Sequence, residues 1–402
     1  MFELAKSFIR IIRAYGLRGI VSAANRAGGD KEIINKYGFI TDQTRIPLDE
    51  VSMNARRDMI TLNWVIPDVT PGAGGHTTIF RFIGHLERMG LHNRIYIYQG
   101  SGFKSDDDLR VFLKKYFSHV LTEPGIEAFC NVDRMTYADV TVATGWQTAY
   151  FVNRFDNTSH KYYFVQDYEP FFYPVGSDYI FAENTYKFGF TAITAGDWLK
   201  QKMINDYGMK ALSFGFSCDK TVYRPRERVD STRRIFFYAR PVTSRRAFEL
   251  GIIALNEVHM RHPDIEVVFA GWDISNYIIP FKHKDMGTVQ PEDLAEAFSQ
   301  SDICLVMSAT NLSLMPLEIM ASGSVCATSY GYNNEWLLNE ENAILFKNDP
   351  MDIANKINYY LDNPNLLDQK KVNGMKLAAS TDWEKEARKV YDFIIDDVSN
   401  KE

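Results

Sequence analysis

Cysteine is scarce in this chain, with four in 402 residues. Cys130, Cys218, Cys304 and Cys326 lie far apart with no CxxC spacing, which excludes zinc-ribbon and thioredoxin-type patterns. Cys304 and Cys326 sit in apolar strand-like runs and read as reduced core residues of a cytosolic enzyme. A basic excess is also missing. Formal net charge is −6, so no global positive field draws the chain to nucleic acid. No apolar run approaches the ~20 residues that span a bilayer. The histidines show no metal spacing, and HExxH, GxxxxGK[ST] and GxSxG do not occur.

Charges at Lys6, Arg10, Arg13 and Arg18 break the apolar start of the chain, so it forms no signal-peptide core. Phe8, Ile11, Ile12 and Tyr15 fall near one face of an amphipathic helix instead. Such a helix suits either an anionic membrane surface or packing on its own domain.

What is present is an alternation of strands and helices, twice over. Apolar runs at Leu62–Pro67, Arg94–Tyr98, Val140–Thr144, Tyr162–Gln166, Ala192–Ala195 and Leu212–Phe216 are separated by helical patterns such as Thr77–Met89 and Asp106–Phe117. A second series follows at Ile235–Ala239, Val267–Ala270, Ile303–Met307, Val325–Thr328 and Ile344–Phe346. The polar stretch Cys218–Arg233, carrying Pro225, has the composition of a linker. The fold class is therefore α/β, with two doubly wound Rossmann-like domains facing across a cleft. The expected division is 1–217, including an extra N-terminal helical segment, then 218–384, then a final helix at 385–402 crossing back to the first domain.

Four constellations carry chemistry. Ser308–Tyr330 reads as a strand end, a small polar loop, a short helix with Pro316 and Glu318 in its first turn, a stop at Gly323, and another strand. A helix opening this way aims N–H groups and the positive dipole end at the loop, which suits a phosphate. Glu318 is close enough to bond sugar hydroxyls beside it, although a carboxylate in a first turn also needs no further role. Arg240 and Arg245 follow a strand and suit a leaving diphosphate, because guanidinium forks match phosphate oxygens; Arg246 is the bystander. Gly74, Gly75 and His76, after Gly72 and Ala73, allow close approach of backbone to a ligand, as any tight strand-to-helix turn would. Asp167 and Glu169 follow a strand within a run of aromatics, where they could orient an acceptor hydroxyl, steady a positive sugar, or cap the next helix. Asp106–Asp108 opens a helix and reads as ordinary first-turn chemistry.

These motifs, in this order from about Leu62 to Trp383, resemble the retaining nucleotide-sugar glycosyltransferases of family 4, which have the GT-B fold. Gly72–His76 is similar to that family's Gly-rich loop. Arg240 and Arg245 match its cation pair on the donor diphosphate, and Thr310–Glu318 occupies its two-glutamate motif. The QDYEPFFYP run and the AENTYKFGFTAITAGDWL that follows it resemble bacterial rhamnosyltransferases that build surface glycans from dTDP-L-rhamnose. The chain departs from the family at Thr310, where the first glutamate usually stands.

The resemblance implies a metal-independent enzyme without cofactor, moving L-rhamnose onto a saccharide acceptor with retention. It implies Asp167, Glu169, Arg240 and Arg245 as catalytic. Donor binding would fall to Gly74, Gly75, His76, Arg240, Arg245, Thr310, Asn311, Leu312, Ser313, Leu314 and Glu318. A lipid-linked acceptor, peripheral contact at the inner face of the cell membrane and a homodimer are all compatible with it. A UDP- or GDP-sugar donor, or a non-catalytic carbohydrate-binding protein on the same fold, are the alternatives.

Overall fold

Short runs of β-branched and aromatic residues form most of the strands, and the central ones are covered on both faces. In the computed structural model, which describes residues 33–54, 59–70, 74–99 and 102–399, all six residues of Thr61–Ile66 and all six of Ala138–Ala143 are buried. Continuous burial of this kind belongs to parallel sheets wrapped by helices.

The chain divides into a short unit ending at Ile46 and a large unit beginning at Pro47. In the short unit, a helix at Ile33–Tyr37 runs into a 3-10 turn at Gly38–Ile40. The amphipathic helix expected around Phe8–Tyr15 lies outside the described residues.

Two sheets build the large unit. The first holds β1 (Thr61–Ile66), β2 (His92–Ile97), β3 (Glu127–Phe129), β4 (Ala138–Ala143), β5 (Thr158–Val165), β6 (Thr191–Ala195) and β7 (Ala211–Phe214), in the order β3-β2-β1-β4-β5-β6-β7. The second holds β8 (Arg234–Tyr238), β9 (Glu266–Ala270), β10 (His283–Asp285), β11 (Ile303–Val306), β12 (Val325–Ser329) and β13 (Ile344–Phe346), in the order β10-β9-β8-β11-β12-β13. Every pairing is parallel. Chain order reverses between β1 and β4 in one sheet and between β8 and β11 in the other. Those are the topological switch points where doubly wound folds bind ligands.

The short strands β3 and β10 had no clear sequence pattern. β3 is three residues long, and all three residues of β10 are exposed, so neither leaves an apolar run. The helix expected at Thr77–Met89 begins earlier, at Gly74, and ends at Arg88. Ser105 caps the helix Asp106–Phe117 by accepting from the Asp108 N–H at 3.2 Å, and Asp106 accepts from the Cys130 N–H at 2.8 Å. The acidic run is thus helix-opening chemistry. All four cysteines are free, three of them buried.

The last helix, Trp383–Ser399, packs against Gly74–Arg88 and β7. Trp383 meets Phe82 edge-on at 6.1 Å, Tyr162 donates to Asp397 at 2.5 Å, and the Gly215 N–H donates to Glu386 at 2.7 Å. This helix follows the second sheet in sequence but is buried on the first.

Candidate donor site where the two sheets meet

The loops leaving β8 and β11 flank the switch point of the second sheet, and they hold most of the sequence-derived candidates. After β11 the chain forms a tight loop, then the helix Met315–Ala321 with Pro316 in its first turn. Gly323, at φ +82°, ends it in the left-handed conformation that glycine takes without steric cost. The loop is stiffened from within. Ser308 Oγ donates to the Asn311 carbonyl at 2.8 Å, and Ser329 Oγ donates to the Ser308 carbonyl at 3.0 Å. The Leu312 N–H donates to the Asn333 carbonyl at 3.2 Å.

The loop after β8 carries the arginines. A 3-10 turn at Ser244–Arg246 leads into the helix Phe248–Arg261 through Ala247, which has φ 43° and ψ 51°. A left-handed alanine is strained, and this one sits directly beside the arginines. Arg245 lies over the Phe172 ring at 4.2 Å, and Arg240 lies 5.9 Å from the Trp272 ring. Burial lowers the Arg245 pKa from its ordinary value, the Asp167 charge opposes that shift, and Arg240 adds to it. Arg246 turns away and donates to the Met307 carbonyl at 3.3 Å.

From the first sheet, Asp167 and Glu169 follow β5. Asp167 reaches across to the β11 loop: Thr310 Oγ1 donates to its Oδ2 at 2.8 Å and the Asn311 N–H donates to its Oδ1 at 2.9 Å. Burial raises its pKa, while those two bonds and the Arg245 charge pull the other way. Glu169 points back into its own half. It accepts from the Trp146 N–H at 2.9 Å and from the Tyr163 hydroxyl at 2.8 Å. Burial pushes it up to about 7 against those two bonds, and the neighbouring Asp167 charge raises it further.

The structure therefore brings Asp167, Arg245, Thr310 and Asn311 together. Glu169 is set behind them as the anchor of the Gly145–Trp146 turn. Glu318 lies in the first turn of Met315–Ala321, where burial pushes its pKa up to about 7 against the charge of Arg81 and the hydroxyl of Tyr223. Gly74 and Gly75 open the helix Gly74–Arg88, with Gly75 against the Gln166 side chain. His76 stacks on Phe80 at 6.3 Å, and burial lowers its pKa.

One part of the phosphate expectation changes. The loop N–H groups were to face the diphosphate from Asn311 to Leu314, but those of Asn311 and Leu312 already have protein acceptors. That leaves the N–H groups of Ser313 and Leu314 for the expected contact. Among the described residues, buried polar atoms without a hydrogen-bond partner recur here: His76 Nδ1, Arg240 Nε, Asn311 Oδ1 and Ser313 Oγ.

Sequence reasoning missed Trp272, Arg81, Tyr223 and Asn333. Trp272 follows β9 directly, a position equivalent to that of the arginines after β8, and this was the available signal. Arg81 lies inside an amphipathic helix and Tyr223 in a linker, so neither stood out.

The class of protein that this fold defines is the GT-B glycosyltransferases. Within that class, residues 126–195 match the WsaF N-terminal domain and residues 233–358 match the WsaF C-terminal domain. The chain is 29% identical over 365 residues to the O-antigen biosynthesis protein RfbC of Myxococcus xanthus, an alignment covering 87% of this chain and 28% of RfbC. It thus spans little more than a quarter of that relative. Solved structures with the same fold include TarM of S. aureus, in complex with UDP and saccharides, at TM-score 0.65 and 9% identity, covering 84% of this chain and all of that one. HepE of Anabaena, in complex with UDP and glucose, has TM-score 0.64 and 12% identity, covering 83% of this chain and 99% of its own.

Proposed function

We propose that this chain transfers L-rhamnose from dTDP-L-rhamnose to a saccharide hydroxyl with retention of configuration, without a metal ion. One observation carries the reading. The Asp167 carboxylate stands at the edge of the first sheet, fixed by Thr310 and Asn311 of the second and within the field of Arg245. A carboxylate and a guanidinium whose charges act on each other are thereby set where both sheets end.

In this reading Arg240 and Arg245 hold the diphosphate, with the N–H groups of Ser313 and Leu314 at the start of Met315–Ala321. Charge that develops on the departing phosphate meets guanidinium groups already in place, which is how preorganised sites lower barriers. Glu318 accepts the ribose hydroxyls. Asp167 faces the sugar and steadies positive charge on its anomeric carbon, the work that a glutamate at Thr310 would otherwise do. The bond from anomeric carbon to phosphate oxygen breaks, the acceptor oxygen bonds that carbon on the same face, and the acceptor proton passes to the departing phosphate. A β-configured donor then gives a β-linked product.

The acceptor fits a growing surface glycan, in keeping with the O-antigen name of the M. xanthus relative. A lipid-linked acceptor would be met at the inner face of the membrane. Among the described residues no helix is long and apolar enough to cross one. The UDP complexes of TarM and HepE favour a second reading in which the donor is a UDP-sugar. Thermal-shift titration with dTDP, UDP and GDP separates the two, because a bound ligand raises apparent stability. NMR of the product's anomeric centre tests the stereochemistry, and an α-linked product from a β-donor would overturn retention.

A further inference from the structure

Asn311 belongs to the second sheet's loop, yet its main-chain N–H and its Nδ2 donate to the first sheet. It is 2% exposed. Its side-chain Nδ2 donates to the Gln166 carbonyl at 3.0 Å and to the Ala195 carbonyl at 2.8 Å. Its main-chain N–H donates to Asp167 at 2.9 Å, and Thr310 beside it donates to the other oxygen of Asp167 at 2.8 Å. Ala195 ends β6 and Gln166 directly follows β5. At a strand end, carbonyls have left the ladder and need donors from elsewhere. Two consecutive residues of one loop thus make four hydrogen bonds to the facing edge of the other sheet.

The surroundings make this contact specific. The loop is braced from within by Ser308 and Asn333. Nearby, the Trp336 ring fills the place where a Cβ on Gly196 would stand, 2.4 Å from that position. Only glycine lets the ring sit so close. An aspartate at 311 would lose both Nδ2 donors and add a second negative charge beside Asp167. An alanine would leave the two strand-end carbonyls without their donors.

We infer that Asn311 is a positioning residue that locks the facing edges of the two sheets together and, in the same act, orients the Asp167 carboxylate. Opening of these four bonds frees the Asp167 carboxylate, and their closure returns it to one geometry. Assembly of the site and exclusion of water then become a single event. Asn311 acts on the sugar through Asp167, and the diphosphate is held elsewhere. The consequence for rate rests on the transferase reading; the lock itself does not.

The test uses the full chain with Asn311→Ala, Thr310→Val and Thr310→Ser. Small-angle scattering of the unliganded protein reads separation of the sheets, dTDP titration calorimetry reads the donor grip, and steady-state kinetics split kcat from KM. Asn311→Ala should raise the radius of gyration, lower kcat by about 10- to 100-fold, and leave dTDP affinity within about twofold. Thr310→Val should lower kcat by about tenfold, and Thr310→Ser should restore it. Scattering and kcat both unchanged in Asn311→Ala would overturn the lock. Lost dTDP affinity with unchanged kcat would also overturn it, by making Asn311 a donor ligand. Should Asn311→Ala fail to fold in a thermal melt, the Thr310 pair decides alone, and equal kcat in Val and Ser variants sinks the proposal. If the wild type turns over no sugar nucleotide, the transferase reading fails, while the scattering comparison still decides the lock.

Discussion

Thr310 and Asp167 are joined by a 2.8 Å hydrogen bond across the gap between the two sheets, although 143 residues separate them in sequence. By the resemblance to family 4 transferases Thr310 takes the place of a glutamate, and a glutamate there would press a second carboxylate against Asp167. Here the pair is a hydroxyl donor and a carboxylate.

Restoring the glutamate should therefore harm this chain. Two carboxylates within contact distance cannot both ionise cheaply. Thr310→Glu is expected to cut kcat at least tenfold near pH 8, with partial recovery as falling pH protonates one of the two. A kcat versus pH profile checks this, and activity at or above wild type across the range would show that Asp167 and residue 310 are independent.

Donor affinity should depend on pH through Glu318, whose pKa burial pushes up to about 7. The ionised carboxylate is the stronger acceptor for ribose hydroxyls. dTDP affinity should then rise as pH climbs through about 7, and Glu318→Gln should flatten that rise. Calorimetric titration at pH 6 and pH 8 measures both. A steep dependence surviving in the glutamine variant would assign it to another group.

Both doubly wound sheets were legible because fully buried parallel strands leave unbroken apolar runs, as at Val325–Ser329. β10 is wholly exposed and left no such run. Arg240 and Arg245 could be singled out because loops after strands are where α/β folds place ligands, and Glu318 because it lies in the first turn of a helix that follows such a loop. The pairing of Asp167 with Thr310 and Asn311 was not. Each residue was singled out locally, but a bond between two sheets depends on how they dock, and no periodicity encodes that. Glu169 shows the converse. It sits at a strand end like Asp167, yet its bonds to Trp146 and Tyr163 turn it inward.

Glu169 should make stability depend on pH. Its pKa is raised from 4.5 to about 7 by burial, so the folded state holds a proton that the unfolded chain releases. The protonated form is the favoured buried form, and this stabilisation is complete below about 4.5 and is lost as pH rises to about 7. Glu169→Gln, which cannot ionise, should lose less stability than wild type between those two values. Urea midpoints at pH 5 and pH 8 measure the difference. Equal losses in both proteins would show that Glu169 titrates normally.

Ala247 holds a left-handed backbone at the entrance to Phe248–Arg261, where glycine would rest without a Cβ penalty. Ala247→Gly is expected to stabilise the protein by about 0.5 to 1 kcal/mol, the relief of strain exceeding the entropy lost. Thermal melts report the sign. A clear fall in Tm would mean that the Ala247 side chain contributes packing that outweighs its strain.

The central claim is that Arg245 and Asp167 together break the bond between sugar and diphosphate. Its most direct test is release of nucleoside diphosphate from dTDP-L-rhamnose, UDP-sugars and GDP-sugars by the wild type, Arg245→Ala and Asp167→Asn. The account predicts dTDP release by the wild type above that from the other donors, reduced about 100- to 1000-fold in Arg245→Ala and strongly reduced in Asp167→Asn. Release by both variants at the wild-type rate, or none by the wild type with any donor, would contradict it.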